Sequence, residues 1–372
     1  MVTLGVALGY AHLLTRYRRD WKATESFVPN PDYVPTTTVS VIVPARNEAE
    51  RIERCMHSLA RQNYPIELVD LIVVDDESKD DTAARVASLR LPQLRLLSLA
   101  TSTATERGKK AALTFGIANS SGELIVTTDA DVEVPPNWLK TLVEFRTTCA
   151  VEVVAAPVAF HQEGSRFQRF QSLDFTGMMG ITAAGIRGSY LWLANGANFC
   201  YTRTAFRAVG GFSEINHVAS GDDVLLIEKF AQQFPDHIAF LKSTAATVNT
   251  DPCSDWRTFL RQRLRWASKT SDYSTRSTQI QLGVTWLHTA LIFSSLLLGL
   301  FASTSYLAVL GMQLVFKVVP DFRLLRSTTT FFRRADLMHD FWAAQVWHCA
   351  YIFLVGLLSI AQVRVQWKGR RV

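Results

Sequence analysis

Hydrophobic and polar positions along the chain follow two different rhythms. Between residues 39 and 128, short apolar runs rich in β-branched residues alternate with stretches of helical spacing. Val39–Val43, Leu68–Val74, Leu94–Leu99 and Leu124–Thr128 are predicted strands. Ala49–Gln62 places Ile52, Met56, Leu59 and Ala60 on one helical face, and Asp80–Leu89 and Gly108–Asn119 are the next helices. Strands alternating with helices of this length predict βαβ units around a parallel sheet. From Ser277 the rhythm changes. No Lys, Arg, Asp or Glu occurs through Phe316, a run of 40 residues. As helix that run would be about 60 Å long, twice a hydrocarbon core of roughly 30 Å. It predicts two spans near Gly283–Phe301 and Ser303–Val319, with a tight turn around Ala302–Ser305. A second uncharged run, Phe341–Val363, predicts a third span.

The N-terminal stretch Met1–Thr15 is also uncharged and is followed by Arg16, Arg18, Arg19 and Lys22. Basic residues after the apolar stretch, not before it, argue against a secretory leader. The expectation is a short or truncated anchor, or an amphipathic stub on the membrane interface. The chain thus divides into an anchor at 1–22, an α/β domain at 36–250, an amphipathic helical segment at 251–276, a membrane region of about three helices at 277–364 and a basic tail at 365–372. Basic flanks place the α/β domain and Arg323, Arg326, Arg333 and Arg334 on the cytoplasmic side of a cell inner or plasma membrane. A full third span would put Lys368, Arg370 and Arg371 on the other side, against that rule, so the last segment is re-entrant or the rule fails there.

Composition narrows the classes. Of 372 residues, 48% are apolar and 19% charged, against about 25% charged in an average soluble chain. Dominant disorder, a collagen-like chain and a small disulfide scaffold are excluded. The five cysteines, Cys55, Cys149, Cys200, Cys253 and Cys349, form no CxxC pair and predict reduced, buried thiols. A net charge of +6 suits phosphates, nucleotides or an anionic membrane surface. The basic residues lie beside hydrophobic segments, which favours lipid headgroups over nucleic acid.

The candidate chemistry sits at strand ends. Asp75, Asp76, Glu77, Ser78 and Asp80 follow the second strand, and Asp129 and Asp131 follow the fourth. In open α/β sheets ligands bind outside the carboxyl ends of the strands, so both clusters belong to one rim. Asp129 and Asp131, two residues apart, can converge on one divalent ion completed by substrate phosphates. Gly108, Lys109 and Lys110 open a helix and suit an anion. Downstream, Ser220-Gly221-Asp222-Asp223 precedes the helix Val224–Phe234. In Trp256–Trp266, Trp256, Phe259, Leu260 and Leu264 form an apolar stripe, with Arg257, Arg261 and Arg265 away from it.

These motifs together resemble the family 2 glycosyltransferases. The resemblance rests on Pro44-Ala45-Arg46-Asn47-Glu48, on Val74-Asp75-Asp76 with Ser78 and Asp80, and on Asp129-Ala130-Asp131. It continues in Gly221-Asp222-Asp223 and Gln262-Arg263-Leu264-Arg265-Trp266. The last matches the QxxRW signature of the membrane-embedded group containing cellulose, chitin, hyaluronan and poly-N-acetylglucosamine synthases. The resemblance covers roughly residues 39–266. It implies a GT-A fold, α/β and Rossmann-like, flanked here by transmembrane helices. It implies an inverting, metal-dependent transfer from a nucleotide sugar, usually UDP-linked, to a lipid or glycan hydroxyl, forming a β-glycoside. Carried over, Asp76 would bind the uridine, with Glu48 and Lys109 in the nucleotide-sugar site, and Asp129 would bind the diphosphate. Asp131, with Asp129, would hold Mg²⁺ or Mn²⁺. Asp223 would be the general base beside Asp222. Gln262, Arg265 and Trp266 would line the diphosphate and acceptor region. Asn195-Gly196-Ala197-Asn198 resembles a stretch facing the acceptor.

Large polymer synthases carry more spans than the three or four read here. Processive synthesis would therefore need an oligomer or a partner subunit, and single transfer to a lipid, as in ceramide glucosyltransferase-like enzymes, is the alternative. Two other classes compete. A nucleotidyltransferase or kinase-like NTPase would share the metal acids, but GxxxxGK[ST] fails because position 103 is Thr. A membrane scaffold or transporter subunit would need ionisable residues along its spans, which carry few polar groups beyond His288, Gln313, Gln345 and His348. The two histidines predict interfacial or interhelical bonds.

Overall fold

A computed structural model describes residues 1–102, 107–216, 218, 221–269, 275–361, 363, 366–367 and 370–371. Thr103, Ser220 and Lys368, named above, lie outside the described residues. The chain forms two units. One comprises Glu25–His161, Trp192–Asp251 and Gln366–Val372; the other comprises Met1–Thr24, Gln162–Leu191 and Pro252–Val365.

The first unit is built on a seven-stranded sheet. Its strands are β1 (Val39–Ala45), β2 (Val69–Asp75), β3 (Leu94–Ser98) and β4 (Leu124–Thr127). After β5 (Val132–Glu133) come β6 (Val153–Ala155), β7 (Val158–Phe160), β8 (Phe199–Thr202), β9 (Ile238–Phe240) and β10 (Val248–Thr250). The order is β3-β2-β1-β4-β8-β6-β9, and β5-β10-β7 form a smaller sheet. Strands β1 to β4 are parallel, with Val39 opposite both Val69 and Leu124. Val39, Val41, Ile42 and Val43 are buried on both faces of the sheet, which is why β1 reads as a continuous apolar run. Helix Lys109–Ala118 packs on β1 and β2. A Cβ on Gly116 would come within 2.7 Å of Ile42.

The expected parallel sheet is corrected in its second half. Strand β8 runs antiparallel to both β4 and β6, so the sheet is mixed. Every residue of β8 is buried, and an apolar run carries no sign of strand direction. Strand β1 lies between β2 and β4 and is the point where the strand order reverses, the usual place for a ligand crevice.

The second unit is helical. It contains helices Val2–Ala23, Arg166–Arg187, Trp256–Ala267, Arg276–Phe301, Ser305–Phe331 and Phe341–Ile360. Helix Arg166–Arg187, within the 36–250 stretch, belongs to this unit. The N-terminal helix packs on Ser305–Phe331, Arg166–Arg187 and Arg276–Phe301, burying Tyr10, Leu14, Tyr17 and Trp21. The turn expected around Ala302–Ser305 lies between Phe301 and Ser305.

Among the described residues two segments are long and apolar enough to cross a membrane, Arg276–Phe301 and Ala335–Ile360. The expected span Ser303–Val319 is not one of them. Its helix runs on through Pro320 to Phe331 and buries Lys317 and Asp321. The two charges are one helical turn apart, 2.7 Å between Nζ and Oδ2, so the helix continues past the end of the uncharged run.

Candidate active site

In the α/β unit the acids at the strand ends are arranged by two loops and two helix starts. Asp75 closes β2, and Asp76 follows it, almost wholly buried. Gly108 (φ 106°) takes a conformation other residues avoid, and its amide donates to Asp76 Oδ1 at 3.2 Å. Arg46, from the loop after β1, lies 3.9 Å from Asp76 Oδ1 and donates to the Asp76 carbonyl at 2.6 Å. Asn47 and Glu77, at φ 52° and 57°, place the two loops in left-handed turns. The Asn47 amide donates to Ser78 Oγ at 3.0 Å, and the Lys79 amide donates to Asn47 Oδ1 at 2.8 Å. Asp80 serves this latch. It accepts from the amides of Ala49 and Thr82, both at 3.1 Å. Slight burial would raise its carboxyl, but hydrogen bonds from Thr82 and Ala49 outweigh that and hold it below the ordinary aspartate value. Glu48 is buried, its amide donating to Thr82 Oγ1 at 2.8 Å and its carboxylate 3.9 Å from Arg51.

Lys109 gathers the other acids. Its Nζ lies 2.7 Å from Asp129 Oδ1 and 3.1 Å from Asp222 Oδ2. Burial works against its charge, but Asp129, then Asp222 and Asp223, hold its pKa above the ordinary lysine value. Asp222 and Asp223 form the first turn of helix Asp222–Gln233. Asp223 Oδ2 accepts the Gly196 amide at 2.9 Å, and its Oδ1 accepts the Val224 amide at 2.8 Å. Gly196 leaves room for the lysine, since a Cβ there would stand 2.8 Å from Lys109 Nζ and 3.1 Å from Asp222 Oδ2 and push those side-chain ends aside. The rest of its loop is held firmly. Asn198 is fully buried, donating to the carbonyls of Pro157 and Ala246 and accepting from Trp138 Nε1.

Asp131 follows Asp129 in the turn before β5. Burial first, and then the Asp131 charge, push the Cys55 thiol above its ordinary value. Its Sγ donates to the Asp129 carbonyl at 3.4 Å. Among the described residues no three His, Cys, Asp or Glu side chains gather into a metal cage. Asp129 and Asp131 supply hard oxygen donors, which fit Mg²⁺ or Mn²⁺ whose remaining ligands are phosphate oxygens and water.

Residues 40–210 match the model of the glycosyl transferase family 2. Over those residues the chain is similar to the family 2 glycosyltransferases. It is 32% identical over 190 residues to glycosyltransferase AglE of Haloferax volcanii, covering 50% of this chain and 59% of the relative. It is 27% identical over 277 residues to the probable glycosyltransferase YdaM of Bacillus subtilis, covering 70% and 60%. The chain thus spans about three-fifths of these curated relatives. Among solved structures, it has the fold of mannosyltransferase PcManGT from Pyrobaculum calidifontis, a complex with GDP-Man and Mn²⁺. That match has a TM-score of 0.58 at 19% identity and covers 97% of each chain.

The α/β unit brings Lys109, Asp129, Asp222 and Asp223 together, and its loops bring Arg46 to Asp76. Arg46 was legible only as part of its motif. Gly196 lay in a stretch noted for other reasons, and its amide contact to Asp223 joins positions 27 residues apart.

Gln262, Arg265 and Trp266 belong to the helical unit. Their helix, Trp256–Ala267, starts at Asp255, which accepts the Thr258 amide at 2.9 Å. Phe259 and Leu264 are buried with Phe170, Leu173, Leu337 and Tyr351. The expected apolar stripe holds at Phe259 and Leu264 and is modified at two positions. Trp256 is 38% exposed, and Arg263 is buried instead, with its guanidinium 4.3 Å from the Trp266 ring centre. The Gln262 side-chain carbonyl is buried without a hydrogen-bond partner among the described residues.

Proposed function

We propose that the protein is a membrane-bound inverting glycosyltransferase that moves a sugar from a nucleotide donor, UDP-linked in the first instance, to the hydroxyl of a lipid or glycan acceptor. The observation that carries this reading is the grouping of Asp129, Asp222 and Asp223 around Lys109 in an α/β unit whose residues 40–210 match family 2. Asp76, with Arg46 beside it, is assigned to the nucleoside. Asp129 and Asp131 would hold Mg²⁺ or Mn²⁺, and the ion would supply positive charge against the leaving diphosphate. Gln262, Arg265 and Trp266 are assigned to the diphosphate and acceptor region. The GDP-Man and Mn²⁺ of the mannosyltransferase complex make GDP-sugars a second donor class to test.

Chemistry divides the two neighbouring acids. Asp222 is engaged by the Lys109 ammonium at 3.1 Å. Each oxygen of Asp223 accepts one backbone amide, which fixes the carboxylate and leaves lone pairs for an incoming hydroxyl. Asp223 is therefore the base. It takes the acceptor proton as the hydroxyl oxygen attacks the anomeric carbon, and the bond to the diphosphate breaks on the opposite face. One displacement inverts the centre, so an α-linked donor yields a β-glycoside. Lys109, beside Asp129, offers its ammonium to the diphosphate as negative charge builds there.

Single transfer to a lipid is tested first, since two helices among the described residues are of spanning length and processive secretion needs a channel of several. Membranes carrying the protein are incubated with a panel of UDP- and GDP-sugars and Mg²⁺ or Mn²⁺. Release of the nucleoside diphosphate with one sugar names the donor, and a single-sugar lipid product is expected on sizing. Asp223→Asn is expected to lower the rate about 10²–10⁴-fold while nucleotide binding persists. Full activity in Asp223→Asn refutes the base assignment.

A further inference from the structure

The helical unit buries a chain of polar groups drawn from five helices. Tyr10 Oη donates to Asp321 Oδ1 at 2.7 Å, and Lys317 Nζ donates to Asp321 Oδ2 at 2.7 Å. Lys317 Nζ is 3.3 Å from His348 Nδ1, and His348 Nε2 lies 3.8 Å from Asp174 Oδ1. Asp174 then accepts from Tyr351 Oη at 2.9 Å and from Arg263 Nη2 at 2.9 Å. Arg263 ends the chain. Its guanidinium lies 4.3 Å from the Trp266 ring centre and 4.7 Å from that of Phe259. Trp266 is three residues ahead of Arg263 and Phe259 four behind, so one helix face carries all three.

The charges alternate in sign, with Lys317 on Asp321 and Arg263 on Asp174. Such a chain survives burial only because each charge is paired and hydrogen-bonded. The side chains of Asp174 and Arg263 are 5% and 4% exposed. Packing alone would fill this place with apolar side chains at less cost. The pair instead delivers a fixed cation to the face of Trp266, where the attraction between guanidinium and ring sets the orientation of the indole.

We propose that Asp174 is a positioning residue that orients Trp266 through Arg263. The proposal rests on the reading of Trp266 as part of the acceptor and diphosphate region. Arg263, inside the QxxRW segment but outside its three matched positions, is the link. Tyr351 and the Lys317–His348 contact behind Asp174 fix the carboxylate from the other side.

The test uses the full chain in detergent or lipid, with Asp174→Asn, Arg263→Gln and the double variant. Three quantities are read: transfer rate with donor KM, unfolding midpoint, and iodide quenching of Trp266. The last is taken as the difference between each protein and its Trp266→Phe counterpart. Each single variant is expected to lower kcat about 10- to 100-fold with donor KM unchanged, as misplacement of a positioned group does. The double variant is expected to regain much of the unfolding midpoint, because no unpaired charge remains buried, but not the rate. Trp266 should become more accessible to iodide in all three. Recovery of rate together with stability in the double variant overturns the proposal, since a purely structural pair would behave so. Unchanged quenching of Trp266 also overturns it. If the unaltered protein transfers no sugar, the glycosyltransfer reading fails on its own, and quenching still decides whether Asp174 orients Trp266.

Discussion

Lys109 stands between carboxylates that would otherwise repel one another, and Gly196 makes room for it. Replacing Gly196 by Ala puts a methyl group 2.8 Å from the ammonium and 3.1 Å from Asp222. The lysine end is flexible and can yield, so the fold should persist while the ion pairs open. The expected outcome for Gly196→Ala is a nearly unchanged unfolding midpoint with a clear fall in transfer rate, and an unchanged rate would show that the spacing is immaterial. Lys109 also makes a prediction about pH. Its pKa in the folded chain is raised, so the stability it contributes is complete below the free-lysine value of 10.5 and is lost only as pH rises through the higher folded value. The ammonium is therefore charged across the working range. Lys109→Met should reduce the rate by one common factor from about pH 7 to 9, and a ratio that changes steeply with pH would contradict this.

At the scale of elements, the helix Ser305–Phe331 shows how a charge pair extends an apolar segment. Lys317 and Asp321 are both buried, and they satisfy each other within one turn. Removing one partner leaves an uncompensated buried charge, which costs about 3–5 kcal/mol in comparable pairs. Asp321→Asn should therefore lower the unfolding midpoint more than the double change Lys317→Met with Asp321→Leu. Equal losses would mean that the ion pair matters only through packing. The helix Trp256–Ala267 obeys the same rule through Arg263, whose burial depends on Asp174 of a different helix.

At the scale of the whole molecule, the chain combines a nucleotide-sugar-type α/β unit with a helical unit carrying two helices of spanning length. Many large side chains on those helices face outward, among them Leu297, Leu300, Phe301, Trp342 and Val346. Exposed apolar surface of that extent is costly in water and suits a hydrocarbon surround. The protein should remain in the membrane fraction after washing with alkaline carbonate and leave it only with detergent. Release by carbonate alone would overturn the proposed membrane setting.

Much of the architecture could be read without coordinates, because its physical causes are local. Val39–Val43 and Leu124–Thr128 announce buried strands by their continuous apolar character. Asp76, Asp129 and Asp131 follow such strands directly, so a parallel arrangement places them at one rim. The uncharged run from Ser277 to Phe316 marks helices by the absence of charge. Other features join residues far apart in the chain, and nothing local records them. The direction of β8 depends on how the chain returns from Leu191 to Phe199. Arg263 meets Asp174 across 89 positions, and Tyr10 meets Asp321 across 311. The amphipathic pattern put Trp256 in an apolar stripe and was silent on Arg263, because a pattern counts polarity and cannot see that a buried carboxylate waits on another helix. What the sequence determined by itself was the order of the first four strands with their helices and the acids at their ends, all consequences of neighbouring residues. Only the tertiary structure decided which charge meets which, because long-range pairing depends on the path of the whole chain.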